Sequence, residues 1–269
     1  MTVARVIAAG FVAHFKMLSR SPFDLWVVIA APLIFATFAH FLFSGASHSK
    51  MLEAALASGV MGVWSSATAS GAGALQSQRR LGVLELLVAS PMPFWSIFLP
   101  ISLAIAGIGV YSMASGLLYV RLIFGIPIVV ADWWALCVAI PVVIVSIGAL
   151  GFLFASAFVR FRSAFMIGNL FEWPIWLVAG LLIPTSVLPD WLRPVSWLVA
   201  PTWGMDALRA AVEGRGAAWT DIGICAGTGV VYIVGSLWAL HVSWYVWLAI
   251  PIWVACGTLL YTSALVILG

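Results

Sequence analysis

WALCVAIPVVIVSIGALGFLFASAFV, residues 134–159, is a continuous apolar run without a single charged side chain. A helix needs about 20 apolar residues to cross the hydrocarbon core of a bilayer, because each residue advances it by about 1.5 Å. The run exceeds that length and predicts a transmembrane helix.

Similar runs lie on both sides of this stretch. They predict spans at residues 23–43, about 52–75, about 94–119, about 164–183 and about 222–240, and residues 244–268 are long enough for one more. The predicted fold class is all-α. It is a polytopic transmembrane helical bundle of six spans, or seven if the last run crosses, in one domain over residues 1–269.

The composition supports a membrane location. Hydrophobic residues make up 64% of the chain and charged residues 8%, whereas soluble domains carry about 25% charged residues. The net charge of +3 is small, and the basic residues lie mostly at the ends of the apolar runs. That placement suits contact with anionic lipid headgroups and gives no support to nucleic-acid binding.

The sequence lacks the usual catalytic patterns. Neither a nucleophile elbow, a zinc-protease motif nor a phosphate-binding loop is present, so no catalytic or metal-binding residue is predicted. The four histidines have no partners at helical spacing and are interpreted as structural. Cys137, Cys225 and Cys256 lie inside apolar runs and are interpreted as small core residues.

The basic residues also predict the orientation. With the N-terminus inside, the twelve divide seven to five in favour of the cytoplasmic side. Loops 76–91 and 160–163 are then cytoplasmic and residues 185–215 external. In the second span, small residues such as Gly59, Gly62 and Ser66 predict close helix packing, either within this bundle or against a second copy.

Three polar places stand out. Residues 78–90 predict a short helix that ends at Ser90-Pro91 and has Arg79 and Arg80 at its start, with a role outside the helix or simply in setting topology. Glu172 lies midway along the fifth predicted span, where a carboxylate costs about 2.5–3.5 kcal/mol. It either lines a polar path or makes an interhelical hydrogen bond.

The third place is residues 185–213, which predict two short amphipathic helices in the outer interface, or else an ordinary outer loop. Asp206, Arg209 and Glu213 follow one another at steps of three and four and can pair along one helix face. The apolar face of the first helix is predicted to carry Leu188, Leu192, Val195 and Val199, opposite Asp190, Arg193 and Ser196.

Three ordered stretches resemble those of type-2 ABC transporter permeases. They are RRLGVLELLVASP at 79–91, AGLLIP followed by LPDWL between residues 179 and 192, and PTWGMDALR at 201–209. Gln76, Gln78 and Val83 depart from the pattern in the first stretch. The resemblance extends over about residues 1–241.

The resemblance implies an interfacial helix at 1–20, a segment at 76–91 that docks on an ATPase, and a pair of re-entrant outer helices at 185–213. The residues it singles out for docking are Arg79, Arg80, Gly82, Glu85, Ser90 and Pro91. Those assigned to the translocation path are Glu172, Asn169 and Pro184. Those of the outer helices are Pro189, Trp191, Arg193, Pro201 and Arg209.

The function implied is export of a hydrophobic or amphipathic substrate across the bacterial inner membrane. A separate P-loop ATPase would hold ATP and Mg²⁺, and a second permease, identical or a paralogue, would complete the transporter. The rival is an ion- or proton-coupled secondary transporter with Glu172 as the coupling carboxylate, although the internal repeats usual in such folds are absent. A membrane enzyme is a third alternative, weakened by the missing catalytic residues.

Overall fold

The computed structural model describes residues 3–42, 48–80, 95–158, 170, 172, 174–181, 185 and 188–238, and every regular element among them is helical. This confirms the all-α class for the described part of the chain. The helices are α1 Val3–Arg20, α2 Pro22–Leu42, α3 His48–Arg80, α4 Trp95–Ile123, α5 Trp133–Phe158, α6 Arg193–Trp197, α7 Ala200–Glu213 and α8 Ala218–Trp238. A further helical piece spans residues 174–178.

Three described helices are long and apolar enough to cross a membrane: Leu99–Ile123 within α4, Trp133–Phe154 within α5, and α8 itself. They coincide with the third, fourth and sixth predicted spans. Helices α2 and α3 occupy the first and second, and α2 contains a shorter apolar helix, Val28–Phe38. Half of the fifth predicted span and all of the seventh lie outside the described residues. The count of six or seven spans therefore stays a prediction.

Helix α3 lies at the centre of the bundle and packs against α2, α4, α5 and α7. Its Trp64 is 1% exposed and meets Phe154 of α5 edge to face, with ring centroids 6.0 Å apart. Helix α1 lies along α4, where Phe15 stacks on Tyr111 at 6.4 Å. Since α3 touches four other helices, a movement of α3 reaches most of the bundle.

The small residues of α3 pack within this chain. Cβ atoms added at Gly59 and Gly62 would press against Met113 and Ser112 of α4. The Ser112 hydroxyl donates to the Gly59 carbonyl over 3.1 Å. Of the two alternatives for these two glycines, packing within the bundle is the one observed. Small side chains let the two backbones approach closely, as helices in lipid require.

Two local predictions are wrong. Arg79 and Arg80 do not start a new helix but continue α3, which is described as far as Arg80. Gln and Arg are good helix formers, so the polar stretch that begins at Gln76 does not interrupt the helix. Cys137 is exposed on α5, whereas Cys225 is buried as predicted. Cys256 lies outside the described residues.

Candidate functional site

Helices α6 and α7 occupy the segment where two short helices were predicted, and their placement in the outer interface stays a prediction. The amphipathic pattern of the first is only partly right. Ser196, assigned to the polar face, is 1% exposed, while Val195 is 47% exposed. The Ser196 hydroxyl donates to the Arg193 carbonyl at 2.7 Å, so its burial leaves no unpaired donor. Because α6 has five residues, no single helical phase runs through the stretch.

Arg209 of α7 joins three parts of the chain. It is 8% exposed, and its Nη1 donates to Asp206 Oδ1 at 3.1 Å along α7, which confirms that predicted pairing. Its Nε lies 3.4 Å from Glu53 Oε2 at the start of α3, an ion pair without hydrogen-bond geometry. Its Nη2 donates to the Gly180 carbonyl at 2.6 Å. A buried guanidinium needs such partners because its desolvation is costly.

Gly180 provides its carbonyl through a tight turn. Two backbone hydrogen bonds end the helical piece 174–178. The Gly180 N–H donates to the Leu177 carbonyl at 3.2 Å, and the Leu181 N–H donates to the Trp176 carbonyl at 3.1 Å. Gly180 has φ 72°, the left-handed conformation that glycine adopts at little cost. The turn leaves the Gly180 carbonyl free to accept from Arg209.

Two further charged residues, Glu213 and Arg215, interact with Glu53, the partner of Arg209. Glu213 forms an ion pair of 2.5 Å with Arg215 rather than the predicted pair with Arg209. We call Glu53, Asp206, Arg209, Glu213 and Arg215 the Arg209 charge network. Glu53 was missed by sequence reasoning, although a carboxylate one residue inside an apolar run is itself a signal of a buried partner.

Helix α7 is fixed at both ends. At its start, the Ala200 N–H donates to the Tyr232 hydroxyl at 3.0 Å, and that hydroxyl donates to the Leu198 carbonyl. At its end, the N–H groups of Ala131 and Asp132 donate to the carbonyls of Val212 and Ala211, at 3.3 and 3.0 Å. Helix α7 is thereby attached to α8 and to the loop before α5. Sequence reasoning gave no role to Tyr232.

Glu172 lies apart from this network and touches the middle of α3. The Ser65 hydroxyl donates to the Glu172 carboxylate, and both residues are half-buried. This is the interhelical hydrogen bond that one of the two interpretations required. The partial exposure of the carboxylate is what the other, a polar path, requires, so the role of Glu172 stays a prediction.

The other predicted site residues are scattered. Pro201 is buried in the first turn of α7, and Trp191 is 74% exposed. Pro189 is exposed too, and Arg193 forms a surface ion pair with Asp190 at 3.0 Å. Outside the described residues lie Asn169, Pro184, Gly82, Glu85, Ser90 and Pro91. Within residues 3–238, as far as they are described, no group of three or more His, Cys, Asp or Glu side chains could hold a metal ion.

Comparison with known proteins gives one family. A family model described as "ABC-2 type transporter" matches residues 6–212, from α1 to α7. No curated protein matches the chain.

Proposed function

Because the chain belongs to the ABC-2 type transporter family and is therefore a membrane permease component, we propose that it serves an ATP-driven exporter of a hydrophobic or amphipathic substrate. The observation that carries the proposal is the extent of the match. Residues 6–212 include the central helices, the segment 76–91 and the outer helices α6 and α7 in one continuous stretch.

Permeases of this family work with an ATPase in a separate subunit. We place ATP and Mg²⁺ on that subunit and its docking surface at residues 76–91, with Arg79, Arg80, Gly82, Glu85, Ser90 and Pro91 as the docking residues. Helix α3 supports this assignment, since its 33 residues run without interruption from His48 to Arg80 and include Glu53 of the Arg209 charge network near the start. At 1.5 Å per residue it is about 50 Å long, so one rigid element joins the docking end to the outer end.

The proposed mechanism follows from that connection. ATP binding brings the two ATPase subunits together and displaces the docking segment. Helix α3 carries the displacement to Arg209, and the substrate path opens outward between two permease copies, identical or paralogous. ATP can bias this equilibrium only if the ATPase docks differently on the two states. Glu172, Asn169 and Pro184 are the proposed lining of the path, and the contact of Glu172 with α3 supports its place there.

The proposed location is the bacterial inner membrane, with the N-terminus cytoplasmic, α1 interfacial and α6 and α7 external. The distribution of basic residues supports this orientation. A cysteine placed at Ser77, with the three native cysteines replaced, should resist an impermeant maleimide in intact cells and react in inverted vesicles. Labelling in intact cells would show that the topology is the opposite of the proposed one.

The family match does not favour a secondary transporter, since that mechanism needs no ATPase partner. Purified permease and its ATPase, reconstituted in proteoliposomes, should move an amphipathic dye outward only with ATP. The double variant Gly82→Pro with Glu85→Lys should abolish this transport and leave insertion intact. The control is Asp190→Lys, which should transport normally. It reverses the charge of a side chain that is 91% exposed and paired with Arg193 at the surface. Transport by the double variant at the unmodified rate would refute the docking assignment.

A further inference from the structure

Helix α8 is far less covered than the other two helices that qualify as spans. Only 22% of its apolar window is buried, against 50% in α4 and 61% in α5. Most of its exposed residues lie along one stripe of the helix, and we call the middle of that stripe the glycine face. Its members are Gly223, Gly227, Val230, Val231 and Val234.

The glycines make this face a shallow groove. A Cβ atom added at Gly223 or Gly227 would meet nothing within 4 Å, whereas one at Gly229, on the packed side of α8, would press against Ser146 of α5. Gly223 and Gly227 lie one helical turn apart. Small residues at this spacing let a second helix approach closely, which is the main source of helix association in lipid.

The chain itself contains a suitable occupant. Residues 244–268 contain no charged side chain and follow α8 after residues 239–243. Five connecting residues span at most about 17 Å, and packed helices lie about 8–10 Å apart. A helix formed by 244–268 would therefore return antiparallel beside α8 or its immediate neighbour.

We propose that residues 244–268 form a transmembrane helix that packs antiparallel on the glycine face of α8. The register follows from the short connection. Gly227 lies eleven residues before Trp238, and eleven residues after Trp244 comes Ala255, followed by Cys256 and Gly257. Small residues thus oppose Gly227. If Gly227 pairs with Cys256, one residue beyond Ala255, Leu260 comes opposite Gly223. The inference does not depend on the export function.

The native Cys256 provides a direct test. In a chain with Cys137→Ala and Cys225→Ala, the variant Gly227→Cys should form an intramolecular disulfide with Cys256 on oxidation in membranes. The side chain fits, because nothing described lies within 4 Å of the added Cβ. The readout is labelling with a polyethylene-glycol maleimide, which shifts the band on a gel. Disulfide formation should prevent labelling of both cysteines, and reduction should restore it. A second pair, Gly223→Cys with Leu260→Cys and Cys256→Ala, tests the same register independently.

The depth control is Thr220→Cys, which lies on the same stripe seven residues from Gly227. That offset is about 10 Å along the helix, beyond the Cα separation of about 7 Å that a disulfide allows. The Thr220→Cys variant should therefore form no disulfide with Cys256 and keep both thiols free.

Covalent dimers of Gly227→Cys, instead of an internal disulfide, would show that a second copy occupies the face and overturn the proposal. Absence of a disulfide in both pairs, with all thiols open to a lipid-soluble maleimide, would show a face bare to lipid and overturn it too.

Discussion

Arg209 and Glu172 both place an ionisable side chain in an apolar bundle, and their surroundings differ. Arg209 is 8% exposed and meets oxygen atoms of Glu53, Asp206 and Gly180, which belong to three parts of the chain. Glu172 is half-buried, and its described contact is with the neutral Ser65 hydroxyl. At Arg209 the cost of burying the charge is offset by two carboxylates of opposite charge. The described contact of Glu172 carries no opposite charge. We therefore expect Arg209 to hold the fold together and Glu172 to remain available to a ligand.

The largest effect is expected at Arg209. Arg209→Met keeps much of the side-chain volume but leaves two carboxylates and the Gly180 carbonyl without their cation. Removing one partner of a buried ionic group costs about 3–5 kcal/mol. The free energy of unfolding, measured by denaturant titration in detergent, should fall by that amount.

The matched control for Arg209 is Arg193→Met, since the Arg193–Asp190 pair lies at the surface, with side chains 44% and 91% exposed. Surface pairs contribute about 0–1 kcal/mol, so this variant should stay close to the unmodified protein. The double variant Glu53→Gln with Arg209→Met should lose less than the sum of the two single changes, because the two groups interact. If Arg209→Met and Arg193→Met lowered the free energy of unfolding equally, the network would not be what stabilises the fold.

A medium effect is expected at Tyr232, which fixes the start of α7. Tyr232→Phe leaves the Leu198 carbonyl and the Ala200 N–H without this partner. Such buried orphan groups cost about 1–3 kcal/mol. In the control, Tyr119→Phe, the partner Thr37 still donates to the Leu33 carbonyl at 2.8 Å, so the loss should be smaller. Melting temperatures of the two variants give the comparison, and an equal drop in both would contradict the anchoring role of Tyr232.

The sequence predicted the helices better than the contacts between them. Long apolar runs locate α2, α4, α5 and α8 to within a few residues, because a bilayer demands a fixed apolar length. The Asp206–Arg209 pair was predictable from its spacing of three. Glu53 lies 156 residues before Arg209, and no local rule connects residues so far apart. The same holds for Ser65 with Glu172 and for Tyr232 with Leu198.

The smallest effect on stability, and the most informative on function, is expected at Glu172. Glu172→Gln keeps the shape and the capacity to accept a hydrogen bond from Ser65 but removes the charge. We expect expression and melting temperature near those of the unmodified protein, with a changed substrate range or changed substrate-stimulated ATP hydrolysis. Glu172→Ala also loses the hydrogen bond, and polar pairs in membranes average about 0.6 kcal/mol, so its melting temperature should fall only slightly. Ser65→Ala removes the same hydrogen bond and keeps the carboxylate, so it should match Glu172→Ala in stability and the unmodified protein in transport. If Glu172→Gln transports normally while Glu172→Ala is clearly destabilised, the carboxylate serves the fold alone, and its difference from Arg209 is one of degree.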